Sequence, residues 1–154
     1  MSRWRSGEAE IERFLAEAGL QDVSGAQADG GAWLTRARRT VQTAASLVDT
    51  DPESAYVLAY DAARYGCTAL LAQQGLRPTT AGGHLVVERA VRAQFGDPFK
   101  AYGMLRRRRN ELEYPSHPGD RADKEEADGA VTAARGIIDA VERLLPHLGF
   151  FMTH

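Results

Sequence analysis

The sequence predicts an all-α protein, an antiparallel bundle of about five to six helices. Apolar residues recur at three- and four-residue spacing in nearly every segment, whereas strictly alternating β-branched runs are missing. Helix start and stop signals punctuate the chain, and the loops between them are mostly short, which favours neighbouring helices packing side by side. A length of 154 residues suits one domain spanning 1–154 and leaves little room for a second core.

The first helix is expected over 6–20, with Ile11, Phe14, Leu15 and Ala18 as its inner stripe. Residues 21–31 hold three glycines and read as a linker, so 1–31 forms an N-terminal helix and linker ahead of a core over 32–145. The second helix, 32–48, carries Trp33, Leu34, Ala37, Val41, Ala44, Ala45 and Val48 on one broad side and Arg36, Arg38 and Arg39 on the other. Thr50, Asp51, Pro52 and Glu53 then make a dense start signal: a capping side chain, a proline where no N–H partner is needed, and an acid at the positive end of the helix dipole. The third helix runs from there to 74. Gly75 suits the left-handed turn that ends it, and Pro78 lies just beyond.

The fourth helix begins at 83 or 84 and carries Leu85, Val86, Ala90, Val91 and Phe95 as far as Gly96. Asp97 and Pro98 start the fifth, 98–114, which stops before Pro115 and Pro118. The sixth spans 120–145 and is closed by Pro146 and Gly149. The apolar tail 146–154 contains Phe150 and Phe151, which must dock back onto the bundle or join a subunit interface to leave water.

Hydrophobic residues at 44% and charged residues at 26%, with a mean hydropathy of -0.38, exclude a chain disordered throughout. The formal net charge of -2 excludes a polycation that coats nucleic acid, so any basic site must be local. Cys67 is the single cysteine; it can form no internal disulfide or Cys-based zinc site, and a reducing cytoplasm is the expected compartment. The N-terminus lacks the apolar core of a signal peptide, and no stretch approaches the ~18 apolar residues of a membrane span, so a soluble, unprocessed protein is expected. His147 and His154 form no ligand pair with another histidine or acid, and the nucleotide-fold and nucleophile-elbow signatures are missing. No metal site and no cofactor are expected.

The most informative segment is 102–117, Tyr-Gly-Met-Leu-Arg-Arg-Arg-Arg-Asn-Glu-Leu-Glu-Tyr-Pro-Ser-His, where four consecutive arginines interrupt an amphipathic helix. At about 100° per residue they cannot all face water. Arg107 points away from the apolar stripe, and Arg108 is expected to reach solvent with it. Arg109 stands four residues after Leu105 and three before Leu112, which sets it on the inward seam. A guanidinium buried there cannot shed its proton and needs a partner. Asp61 supplies a candidate, because it falls four residues after Val57 and four before Tyr65, on a face shared with Arg64. Asp61, Arg64 and Arg109 therefore form either a buried ion network that fixes helix register or a polar group lining a cleft.

Within this segment, Arg109-Asn110-Glu111-Leu112-Glu113-Tyr114 resembles the signature of the HEPN superfamily, small helical bundles whose motif is an arginine, a polar residue often asparagine, a few variable positions and a histidine. The resemblance extends upstream through 60–75, with Ala69-Leu70-Leu71-Ala72 before Gly75, to His84 opening the next helix, and covers roughly 32–145. It implies a homodimer whose motif helices face each other across a cleft. Such proteins commonly act on RNA as metal-independent endoribonucleases in toxin–antitoxin, phage-defence or RNA-processing systems, while some are inactive binding or scaffold proteins. Carried onto this chain, Arg109 would hold the scissile phosphate and Asn110 would be its polar neighbour. Tyr114 stands where the histidine is expected, and a phenol with a pKa of about 10 seldom exchanges protons near neutral pH.

His117, between Pro115 and Pro118 and eight residues after Arg109, is the alternative base. His84 either lines the cleft or merely occupies the first turn of its helix, and Asp61, Arg64 and Arg106 complete the cleft-lining set. The competing reading is a catalytically silent adaptor or antitoxin-like interaction protein with structural inner charges. DNA binding through Arg106 to Arg109 ranks last, because Glu111 and Glu113 on the same helix oppose phosphate.

Overall fold

The computed structural model describes residues 3–152; His154 lies outside them. Six helices and one minute hairpin make up the fold: α1 (Glu8–Ala16), β1 (Leu20–Asp22), α2 (Gly30–Leu47), α3 (Pro52–Gln73), β2 (Leu76–Pro78), α4 (Gly83–Phe95), α5 (Lys100–Glu113) and α6 (Lys124–Leu144). Short 3-10 turns at Gly25–Ala28, Asp97–Phe99 and Leu145–His147 join or close them. The all-α expectation holds, and no helix among the described residues is long and apolar enough to cross a membrane.

Helix α3 is the axis. It packs against α2, α4, α5 and α6, and its buried positions, Ala55, Ala59, Ala62, Ala63, Gly66, Ala69 and Ala72 among them, occur on more than one face. Small residues let neighbouring helices approach closely, while Tyr60, Leu70 and Leu71 fill the space between them. Cys67 is fully buried on this axis, and burial, assisted by the Glu88 charge, pushes its thiol pKa far up. The thiol is a packing group rather than a reactive one.

Helix starts follow the capping chemistry. The Asp51 carboxylate accepts from the Ser54 N–H at 3.2 Å with Pro52 in the first turn. Asp29 accepts from Ala32 N–H at 2.9 Å, so α2 begins two residues before the expected 32. The last long helix begins at 124 rather than 120, because Asp123 caps it by accepting from Glu126 N–H at 2.8 Å. The fifth helix begins at 100, behind a 3-10 turn that takes up Asp97 and Pro98.

Two expectations for the N-terminal region need correction. The first helix ends at Ala16, not 20, since Ala18 adopts a left-handed φ of 62° that stops it. The stretch 21–31, expected as a linker, holds short regular structure. Leu20–Asp22 pairs antiparallel with Leu76–Pro78, Leu20 opposite Pro78 and Asp22 opposite Leu76. Gly75 takes a φ of 70° as expected, and its carbonyl accepts from Val23 N–H at 2.8 Å. Gly30 is there for closeness, because a Cβ would press against the Ala69 carbonyl oxygen at 2.7 Å.

The tail docks back: Phe151 is buried, its N–H donates to the Gln74 carbonyl at 2.9 Å, and the Arg3 guanidinium lies 3.7 Å over its ring. Phe150 remains partly exposed. Beneath the tail, the buried amides of Gln74 and Gln94 exchange two hydrogen bonds of 2.6 and 3.0 Å, and the Gln94 carbonyl accepts from Trp4 Nε1 at 2.9 Å. This node ties the ends of α3 and α4 to both terminal segments. Replacing Gln94 with Ala strands the Gln74 amide without its partner, and urea denaturation should record a loss of about 1–3 kcal/mol. The double Gln74→Leu, Gln94→Leu variant, with no orphaned amide, should lose less than the single one.

Candidate functional site

The four arginines of α5 have four different fates. Arg106 reaches α4, where its Nε donates to the Glu88 carboxylate at 2.7 Å, and Arg92 also pairs with Glu88 at 3.6 Å. Glu88 is buried beneath Gly103, where any Cβ would overlap its carboxylate. Arg107 is exposed, as its helix position requires. Arg108 is not simply solvated: Glu126 at 2.5 Å, Glu111 at 3.0 Å and Asp120 at 3.1 Å surround its guanidinium. It therefore fastens α5 to the start of α6, a role hidden from the sequence because two of its acids lie beyond the Pro115–Pro118 loop.

Arg109 is largely withdrawn from solvent and pairs with Glu113 one turn along its own helix. Its guanidinium carbon lies 5.9 Å from the Tyr60 ring centre, and its buried Nε has no hydrogen-bond partner. On the facing side of α3, Arg64 pairs loosely with Asp61 at 3.7 Å and also has a buried, unpartnered Nε. Asp61 thus pairs with Arg64 rather than serving as the direct partner of Arg109.

Tyr60 joins these groups to α4. Its hydroxyl lies 2.7 Å from His84 Nδ1 and 3.4 Å from the Tyr102 hydroxyl. Both tyrosines are fully buried, and burial raises both phenol pKa values, that of Tyr102 more strongly. The phenols therefore stay protonated at neutral pH. A chain in which Tyr102 donates to Tyr60 and Tyr60 donates to His84 Nδ1 leaves neither buried hydroxyl hydrogen unpaired. His84 opens α4 and is exposed, so the ring presents Nε2 as its remaining nitrogen. Partial burial of the ring lowers the His84 pKa below its ordinary 6.5; Arg64 and Arg109 lower it further, Asp61 opposes them, and Arg106 adds a smaller lowering.

The structure thus brings Asp61, Arg64, His84 and Arg109 around Tyr60, with Arg106 at the margin. Asn110, Tyr114 and His117 are not in this group. Asn110 is exposed, Tyr114 ends α5 with 77% of its surface exposed, and His117 is exposed in the following turn, where its carbonyl accepts from Asp120 N–H. Sequence reasoning missed Tyr60, Tyr102 and Glu88 as site residues. A signal existed for the tyrosines, since a phenol at an interior helix position needs a hydrogen-bond partner. Among the described residues, no three His, Cys, Asp or Glu side chains are grouped to hold a metal ion.

Arg109 and Glu113 also edge an open groove of about 520 Å³ whose apolar wall is Val57, Leu58 and Leu112. The chemistry available at the cluster is anion binding by two partly exposed guanidiniums, Arg64 and Arg109, beside an imidazole whose pKa is lowered.

Residues 31–144 match the family model described as HEPN domain. No curated protein matches the chain, and no solved structure does.

The His84 environment yields a direct measurement. Its ring resonances, assigned by comparison with His84→Gln, should titrate with a midpoint below 6.5. Removing either cation, as Arg109→Ala or Arg64→Ala, should move the midpoint upward, since each now disfavours the imidazolium. A midpoint at or above 6.5 that neither substitution moves would refute the electrostatic assignment.

Proposed function

Because this chain belongs to the HEPN domain family, we propose that it acts on RNA as a homodimer and cleaves it without a metal, with Arg109 and Arg64 holding a phosphodiester and His84 carrying the proton. One observation carries this reading: the His84 imidazole, its pKa lowered by partial burial and by the charges of Arg64 and Arg109 on different helices, hydrogen-bonds the hydroxyl of Tyr60, whose ring the Arg109 guanidinium faces. That is the electrostatic demand of a phosphodiester acquiring negative charge beside a proton acceptor.

In such a cleavage the ribose 2′-hydroxyl attacks the adjacent phosphorus and its proton passes to His84 Nε2. The new P–O2′ bond forms as the P–O5′ bond breaks, and the departing 5′ oxygen takes a proton from water. Nε2 can accept this proton only in the tautomer that carries the ring proton on Nδ1, reached before attack by releasing the Nε2 proton to water and taking one from water at Nδ1. In that tautomer Nδ1–H donates to Tyr60 and Tyr60 to Tyr102. The phosphate charge offsets Arg64 and Arg109, which makes the imidazolium less costly in the complex than in the free protein. Tyr114, with its exposed phenol, is dispensable for the proton transfer in this arrangement.

The groove beside Arg109 is the face offered to the second copy, which would set two Arg109 side chains across a shared cleft. The proposed setting is a cytoplasmic toxin–antitoxin or defence system in which an antitoxin-like protein restrains the nuclease. One observation favours a second reading, a silent HEPN-type interaction protein: the motif position normally held by histidine is Tyr114, and it is solvent-exposed.

Purified protein incubated with mixed RNA in EDTA separates the two. Cleavage should persist in the chelator, fall about 10²- to 10³-fold in Arg109→Ala and at least ~10²-fold in His84→Gln, and stay within a few-fold in Tyr114→Phe. Because the His84 pKa is lowered, its base form survives further into acid, so kcat/KM should hold until the pH falls below 6.5. Equal cleavage by Arg109→Ala sinks the catalytic assignment, and partner binding without any cleavage supports the silent reading.

A further inference from the structure

A second recess, of about 400 Å³, opens on the α2 side of α3 and is bounded at one end by β2. Its lining contains two guanidiniums, Arg64 and Arg77, and no carboxylate. The indole of Trp33 forms part of the wall, Leu76 and Pro78 add apolar surface, and Gln27 and Thr68 supply an amide and a hydroxyl. Apolar surface, one large aromatic and a few polar groups suit a small planar ligand, and the two cations select one that carries negative charge.

The indole is held in place before any ligand arrives. Trp33 packs on Tyr65 with ring centres 5.7 Å apart, and the Arg36 guanidinium lies 4.3 Å from the Tyr65 centre and 5.4 Å from that of Trp33. Arg64 flanks Tyr65 at 4.7 Å. Arg77 donates to the Gln27 side-chain oxygen at 2.8 Å, which orients that amide and leaves its two N–H donors available. A fixed aromatic surface and oriented donors lower the ordering cost of binding.

Arg64 belongs to this recess and to the His84–Arg109 cluster alike. Thr68 follows it four residues on along α3 and Ala72 four more, so the recess continues along the helix from the cluster in steps of about 6 Å. We propose that the recess is a base-reading subsite: it seats the nucleobase of the nucleotide adjoining the phosphate held by Arg64 and Arg109, with Trp33 packing on the base and Gln27 and Thr68 meeting its polar edge. Arg77 faces that nucleotide's outer phosphate. This assignment rests on the RNA reading above and adds to it a sequence preference set on a face separate from the Arg109 groove.

Calorimetric titration of the full chain with each of the four nucleoside 5′-monophosphates, ribose 5-phosphate and a 2′-deoxy-blocked trinucleotide tests it. At least one mononucleotide should bind ten times or more tightly than ribose 5-phosphate, and the trinucleotide tighter still. Trp33→Ala should weaken the preferred mononucleotide about tenfold or more, the scale of one lost base–aromatic contact. Because Trp33 is partly buried, Gln27→Ala at an exposed position provides the second variant and should narrow the preference among bases. Arg107→Ala, at an exposed position of α5 outside both sites, should leave mononucleotide binding within about threefold. Equal affinity for ribose 5-phosphate and the mononucleotides, or no change in both Trp33→Ala and Gln27→Ala, overturns the subsite. Base-selective binding without RNA cleavage upholds the recess while removing the nuclease; cleavage without mononucleotide selectivity does the reverse.

Discussion

A guanidinium keeps its proton under all physiological conditions, and much of this bundle is arranged around that constraint. Four consecutive arginines on a helix that must also bury Tyr102, Leu105 and Leu112 leave α5 only one arginine to spend on solvent. Arg106 draws Glu88 inward from α4, Gly103 vacates the volume that the carboxylate needs, and Arg108 collects acids from α5, the loop and α6. The helix is thereby fixed to neighbours on both sides. Arg109, by contrast, pairs with an acid of its own helix and faces an aromatic ring, and no acid of another helix pairs with it among the described residues. An arginine satisfied by its own element remains available to a ligand in a way that an inter-helix clamp does not.

The same logic of completing hydrogen-bonding capacity operates among the neutral groups. Tyr60 and Tyr102 carry hydroxyls into the core, and their line of donors emerges at His84, the one point where it meets solvent. A buried polar chain thus ends on a titratable ring at the surface, with cations close enough to set its protonation. Helix α3 makes this possible, since it carries Tyr60, Asp61 and Arg64 in one turn and delivers them between α4 and α5.

The helices were legible in the sequence because their signals are local. Asp51 and Pro52 start α3, and Gly75 ends it with the expected left-handed turn. The hairpin was not legible: three-residue strands are too short to show alternation, and Leu20 and Pro78 are partners across 58 positions. The inward setting of Arg109 and the shared face of Asp61 and Arg64 could be read from helix phase, while the sequence left His84 open between a cleft position and a plain first-turn position. What phase cannot supply is the identity of remote partners. Glu88 looks like an ordinary surface acid on an amphipathic helix until Arg106 and Gly103 are seen above it, and Arg108 looks solvated until Glu126 arrives from 18 residues away. Asn110 and Tyr114 satisfy the motif by position yet turn outward, because α5 buries only the stripe that contains Tyr102, Leu105 and Leu112.

Cys67 gives the bundle a chemical clock. Its thiol sits at the centre of α3 with no exposed surface and a pKa held high, so a thiol reagent can reach it only when the helices part. The rate of modification then counts excursions of the axis itself, separately from fraying at the ends. With one cysteine in the chain, a single adduct reports on a single event, and a ligand that braces α3 against its neighbours slows the count.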